Sequence, residues 1–279
     1  MTGPLASPVL RAAGAERIYP SASRIPPARR LARYLPPALV ILGFLILWQG
    51  IVSLGRVDPY ILPSPLRILK TLLESWGTIL PHLETTLAET LLGFGLGFAS
   101  GILLAAAIAF STTVERAFYP LIIASQTIPV IAIAPLLVVW FGYGMLPKII
   151  VTALIVFFPI TVNAVDGLRS ADRDLINLLR TMLATPAQLF FKVRVPSALP
   201  YLFSGTKVGI TYSVIGAVIG EWVGAQEGIG YLMIVANAQL QTDLMFASIL
   251  VLSVLGIVLF ALVAGMERLS LKWKFAGGL

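Results

Sequence analysis

Residues 91–110, LLGFGLGFASGILLAAAIAF, contain no charged side chain. About 20 such residues let a helix cross a bilayer. Several other stretches approach or exceed that length, and none shows the two-residue alternation of a membrane barrel strand. The chain is therefore read as an all-α integral membrane protein. Charged residues make up 12% of its 279 positions, about half the usual share of a soluble domain. Beyond residues 1–35 there is no room for a soluble domain.

Six spans are expected, at about 36–54, 83–110, 117–141, 146–165, 199–222 and 244–266. Residues 1–35, rich in Pro, Ala, Ser and Arg and without an apolar period, read as a disordered tail with no small-residue cleavage site after its Arg cluster. Residues 36–279 read as one membrane domain. Residues 60–77 form a proline-broken, amphipathic segment suited to a membrane surface. Pro120, Pro129 and Pro135 interrupt the third span, as broken helices at membrane depth require packing in protein or lining a cavity. The small residues of 93–101 let a neighbouring helix approach closely. Residues 224–241 are too polar to cross and too apolar to float, so a short re-entrant or surface helix is expected there.

With the N-terminus inside, the inner segments hold six cations before residue 36, Arg116, five in the long loop and three in the C-terminal tail, fifteen in all. The outer segments hold Arg56, Arg67, Lys70 and Lys148. Such an excess follows the positive-inside rule, with both termini cytoplasmic. That topology also accounts for the net charge of +7 without nucleic-acid binding. There is no cysteine and one histidine, His82, so thiol chemistry and a histidine-built metal site are not expected.

The loop of about 171–198 is the one long polar, basic segment between spans. Its first half has apolar residues at 175, 176, 178, 179, 182 and 183, a helical recurrence. Asp172 and Asp174 sit at the helix start, where acids are favoured. Pro186 then stops or restarts the helix. Such amphipathic pieces bury one face, either in a groove on a partner or against their own bundle. Glu89, Lys207 and Glu221 fall within spans, where a lipid-facing charge would cost about 2.5–3.5 kcal/mol. They should face protein or a cavity. Lys207 lines a path, pairs with an acid or snorkels; Glu221 serves a gate or docking role or is surface-exposed. Ser125, Gln126, Thr127, Thr161, Asn163 and Tyr212 are neutral hydrogen-bonding residues inside apolar runs, suited to helix–helix contacts or to a substrate path. Trp140 and Tyr143 suit an interfacial belt. No GxxxxGK[ST] loop occurs, so ATP hydrolysis is not expected of this chain.

The stretch DLINLLRTMLATPAQLFFKVRVPSALPYLFSGTKVGI, residues 174–210, resembles the cytoplasmic coupling loop of ABC importer permeases. YILPSP (60–65), LLGFGLG (91–97), PLLVVWFGYG (135–144), FFPITVNAVDGL (157–168) and IGEWVGAQEGIGYLM (219–233) are similar to the permeases for nitrate, sulfonate, taurine and thiamine-precursor pyrimidines. The likeness runs from about residue 38 to the end. It implies a methionine-importer-like fold in a prokaryotic inner membrane. It also implies two ATP-binding-cassette ATPase subunits, which would bind the ATP and Mg, and an extracytoplasmic substrate-binding protein. A second permease copy, forming a homodimer, completes the assembly. By the same likeness, Asp174, Asn177, Leu178, Arg180, Thr181, Leu183, Ala184 and Pro186 would grip the ATPase. Gln126, Thr127, Asn163, Lys207, Tyr212 and Glu221 would line the path. One departure is Leu183, which stands where the family has a glycine able to take positive φ; a different turn, or one supplied by Thr185-Pro186, is expected. The substrate expected is a small heterocyclic vitamin or precursor, of thiamine-precursor pyrimidine or riboflavin type. The alternatives are a small anion such as an aliphatic sulfonate, taurine or nitrate, and an ion-driven secondary transporter. The last would need inverted repeats around a midplane site, and none is evident between residues 36–141 and 146–266.

Overall fold

The computed structural model describes residues 27–55, 57–58 and 60–271. The described residues divide into two compact units, one ending at Trp48 and the other beginning at Gln49. In the first lies most of helix α1 (Pro27–Ser53), which starts ahead of the expected residue 36 and carries Pro36 and Pro37 within it. The expected N-terminal tail lies outside the described residues up to residue 26, as does the basic C-terminal end after residue 271.

The second unit is built on α3 (Trp76–Phe110), α6 (Met145–Arg169) and α9 (Val195–Gly224). Among the described residues five helices are long and apolar enough to cross a membrane, or six if the bent pair α4 (Thr112–Ser125) and α5 (Val130–Phe141) is one span. That pair is bent by 99°. The cause is local: Pro129 lacks an N–H and forces the residue before it out of the helical region. The stretch expected as the third span, 117–141, is thus two helices that meet at a sharp bend.

Glycine spacing explains the tight core. Gly93, Gly97 and Gly101 recur every fourth residue on α3 and face Thr152, Val156 and Ile160 of α6. A methyl group at Gly97 would lie 2.7 Å from the Ala153 carbonyl oxygen, so only glycine permits this approach. Gly205, Gly209, Gly216 and Gly220 of α9 also pack on α6, against Asn163, Ile160, Thr152 and Lys148. Small residues at such intervals are how membrane helices gain packing without a hydrophobic drive from water.

Shorter elements complete the unit. α2 (Pro65–Glu74) starts with Ser64 as N-cap and Pro65 at its first position. It is tied to the last long helix, α11 (Thr242–Ser270), by Arg67–Asp243 at 2.6 Å. α10 (Ile229–Ala238) has 10 residues, too short to cross at 1.5 Å per residue. It buries Ile229, Leu232, Met233 and Ala236, as expected for a short re-entrant or surface helix.

Candidate functional site

Two regions at opposite ends of the bundle carry the expected functional residues. The loop end holds α7 (Arg173–Thr181) and α8 (Pro186–Leu189), followed by a π-helical turn, Phe190–Arg194, that runs into α9. Asp172 caps α7, its carboxylate accepting from the Asp174 N–H at 2.8 Å. Thr185 and Gln188 form a capping box at α8, so two otherwise unpaired backbone groups are satisfied reciprocally.

Between the two helices the chain turns at Leu183, with φ +60°. The Ala184 N–H reaches the Leu179 carbonyl and the Leu183 N–H reaches Arg180, both at 3.0 Å. This is the Schellman arrangement, whose left-handed position usually holds glycine. The expected change of turn does not occur: Leu183 itself takes the positive φ, at a cost of about 1–2 kcal/mol. The hydrogen bonds and the packing of Leu179 and Ala184 on a small core of Ala171, Ile176, Leu189 and Val193 outweigh it.

One face of the loop is therefore packed on itself. The other is not: Leu178 is 58%, Met182 70% and Leu183 89% exposed. Asp174, Asn177, Arg180, Thr181 and Pro186 are exposed as well, and Ala184 is half-buried. Thr181 turns its hydroxyl back to the Leu178 carbonyl at 2.6 Å. The hairpin is joined firmly to the bundle. Phe190 packs against Phe110 at the end of α3, ring centroids 4.4 Å apart, and Arg194 donates to the Ala109 carbonyl at 2.8 Å. A force applied at α8 would reach α3 through Phe190 and Arg194 and α9 along continuous helix.

The expected path residues do not converge. Gln126 and Thr127 lie in the exposed break between α4 and α5; the Thr127 hydroxyl returns to the Ala124 carbonyl at 2.7 Å. Asn163 donates to Pro159 on its own helix and packs beside Gly205. Tyr212 is 46% exposed on α9. Lys207 pairs with Glu267 of α11 at 2.7 Å, which is the structural pairing among its readings.

Glu221 belongs to a buried network at the far end. It is 1% exposed, so the surface reading for it is wrong. The Thr86 hydroxyl donates to its Oε1 at 2.6 Å, and the Gly230 N–H donates to Oε2. Thr86 accepts from the Ile229 N–H at 2.8 Å, and His82 Nδ1 accepts from the Gly228 N–H at 3.0 Å. The first N–H groups of α10 are thus capped by α3 and α9, in the place where a helix attracts negative charge. Gly228, with φ +112°, abuts the Glu221 carboxyl, and a Cβ there would overlap it. Beside this cluster Glu89 pairs with Lys148 at 2.6 Å; the two are 0% and 6% exposed.

Sequence reasoning placed Lys148 among the outer cations and missed its role. A usable signal was present: a lysine at the start of an apolar helix, with two intramembrane acids elsewhere, needs a partner. Thr86, His82 and Gly228 gave no such signal, because their roles depend on the α9–α10 turn. Among the described residues, no group of three or more His, Cys, Asp or Glu could hold a metal ion.

The fold is similar to that of the MetNI methionine ABC transporter in an inward-facing conformation, with a TM-score of 0.54 and 22% identity over 72% of this chain and 96% of the other. Among curated relatives, the formylaminopyrimidine transport permease ThiX of Halalkalibacterium halodurans is 43% identical, covering 88% of this chain and 98% of the relative. The riboflavin transport system permease RibX of Chloroflexus aurantiacus is 36% identical over 89% and 95%. The putative aliphatic sulfonates permease SsuC of Bacillus subtilis is 31% identical over 91% and 92%. Residues 93–270 match the family described as binding-protein-dependent transport system inner membrane component. With the helix bundle and its loop-end hairpin in place, these likenesses establish that the chain is a multi-pass inner membrane permease of the ABC transporter type and belongs to that family.

Proposed function

We propose that this permease moves a small, neutral nitrogen heterocycle, of the thiamine-precursor pyrimidine or riboflavin type, inward across the membrane. The observation that carries this reading is charge balance inside the spans. Lys148 and Lys207 are each bound to a carboxylate, at 2.6 and 2.7 Å. A sulfonate or nitrate would find neither lysine free, and stripping an anion of water without a partner is costly. The higher identity to ThiX than to SsuC points the same way.

In the proposed assembly two copies of this chain form the path. Two ATPase subunits grip the exposed faces of α7 on the cytoplasmic side, and a binding protein delivers substrate from outside. ATP hydrolysis resides in the ATPase subunits; this chain supplies path and lever. Coupling requires that the ATPases contact the loop differently in the two states, since equal contacts would shift nothing. The ion-driven alternative loses its ground, because the relatives are ABC permeases.

The test is uptake into proteoliposomes holding the permease, its ATPase and its binding protein. A formylaminopyrimidine should enter in an ATP-dependent manner while an alkanesulfonate does not. Uptake of the sulfonate alone would overturn the substrate reading and favour the anion importer suggested by the SsuC relative.

A further inference from the structure

At the loop end a cleft of about 490 Å³ opens between the ends of α3 and α6 and the starts of α4 and α7. We propose that it seats the phosphate-bearing headgroup of an anionic phospholipid. Its floor is apolar, with Ile108, Val165 and Leu168 buried there. Its rim carries three guanidinium groups, Arg169, Arg173 and Arg194, against one carboxylate, Glu115.

Two of these arginines are held in place. Arg169 pairs with Glu115 and lies 4.6 Å over the Tyr119 ring. Arg194 donates one N–H to the Ala109 carbonyl. Each fills only part of its five-donor capacity, so both present donors already oriented. Arg173 makes no ion pair among the described residues, and the neighbouring Asp172 is turned to cap α7. The cleft is left with two positive charges in excess.

Depth selects the ligand. α3 ends at Phe110 and α6 at Arg169, so the rim lies where the apolar spans stop, at headgroup level. Basic pockets between helices on this side of a membrane recognise anionic lipid headgroups. The apolar floor separates a lipid from a free phosphate. A phospholipid covers that floor with the first carbons of its chains, whereas a hydrated ion leaves it wet. The guanidinium rim suits phosphate through paired N–H donors. The inference is independent of which substrate is carried.

The test uses the full chain purified in detergent, with phosphatidylglycerol or phosphatidylcholine added and retention read by native mass spectrometry. Wild type should retain phosphatidylglycerol in preference. Arg173→Gln should lower that retention about five-fold, the effect of one cation near a headgroup, while Arg173→Lys keeps most of it. Inorganic phosphate at millimolar concentration should not displace the lipid. Equal retention of both lipids, or unchanged retention in Arg173→Gln, would overturn the proposal. Displacement by phosphate would make this a free-anion site instead. If Arg173→Gln weakens ATPase binding in lipid-free detergent and leaves lipid retention intact, the rim serves an acidic protein surface and the lipid reading falls.

Discussion

At the far end of the bundle Glu89, Lys148 and Glu221 are buried and bonded to partners within the chain. At the loop end Leu178, Met182 and Leu183 stand out in the open on a hairpin whose caps and small core are complete without them. Charge inside and apolar groups outside are both unfavourable in isolation. The far end offsets the first within its own chain, through the Lys148 pair and the α10 N-terminus. The loop end leaves the second unresolved, and a second surface is what would resolve it. The difference separates groups that hold this chain together from groups held for a partner.

The largest effect is expected at the far end. Glu89→Ala strips Lys148 of its partner and should destabilise the bundle by about 3–5 kcal/mol, seen as a lower melting temperature in detergent. The double variant Glu89→Ala with Lys148→Met should recover most of that loss. A single variant that melts with wild type would mean that the ion pair holds nothing. Next comes Thr86→Val, which leaves the Ile229 N–H and one Glu221 oxygen without a partner. It should cost about 1–3 kcal/mol and speed proteolysis near residues 224–230. An unchanged proteolytic pattern would remove Thr86 from the network.

The smallest effect is expected at the loop. Leu183→Gly relieves the left-handed strain, so stability should rise by about 1 kcal/mol, read as a small upward shift in melting. Affinity for the ATPase subunit should fall, because the most exposed apolar side chain of the hairpin is gone. If stability falls instead, the Leu183 side chain packs within its own chain and the contrast between the two ends is weaker than drawn.

Much of the architecture was legible because its causes are local. Apolar run length placed the long helices, and the small residues of 93–101 announced a close helix contact without naming its partner. Of the three prolines read as interrupting the third span, only Pro129 lies at the break, while Pro120 and Pro135 sit inside α4 and α5. The α7–α8 hairpin was readable from Asp172, Thr185-Pro186 and the apolar recurrence. What could not be read depends on distant pairing. Lys148 meets Glu89 across 59 positions, and Thr86 meets Glu221 across 135. Nothing in the local sequence around any of them states the partner. The positive φ at Leu183 was missed for the opposite reason: side-chain preference argued against it, and the Schellman hydrogen bonds with their packing prevailed. The path residues remain a proposal, since Gln126, Thr127, Asn163 and Tyr212 do not meet within one chain.

The most direct measurement is co-purification of the ATPase subunit with Arg180→Glu/Leu183→Asp. Membrane insertion should match wild type and the melting temperature should not fall, since both residues are exposed, while the ATPase subunit is lost from the purified complex. An ATPase subunit that still co-purifies at the wild-type ratio would contradict the assignment of this face to the partner.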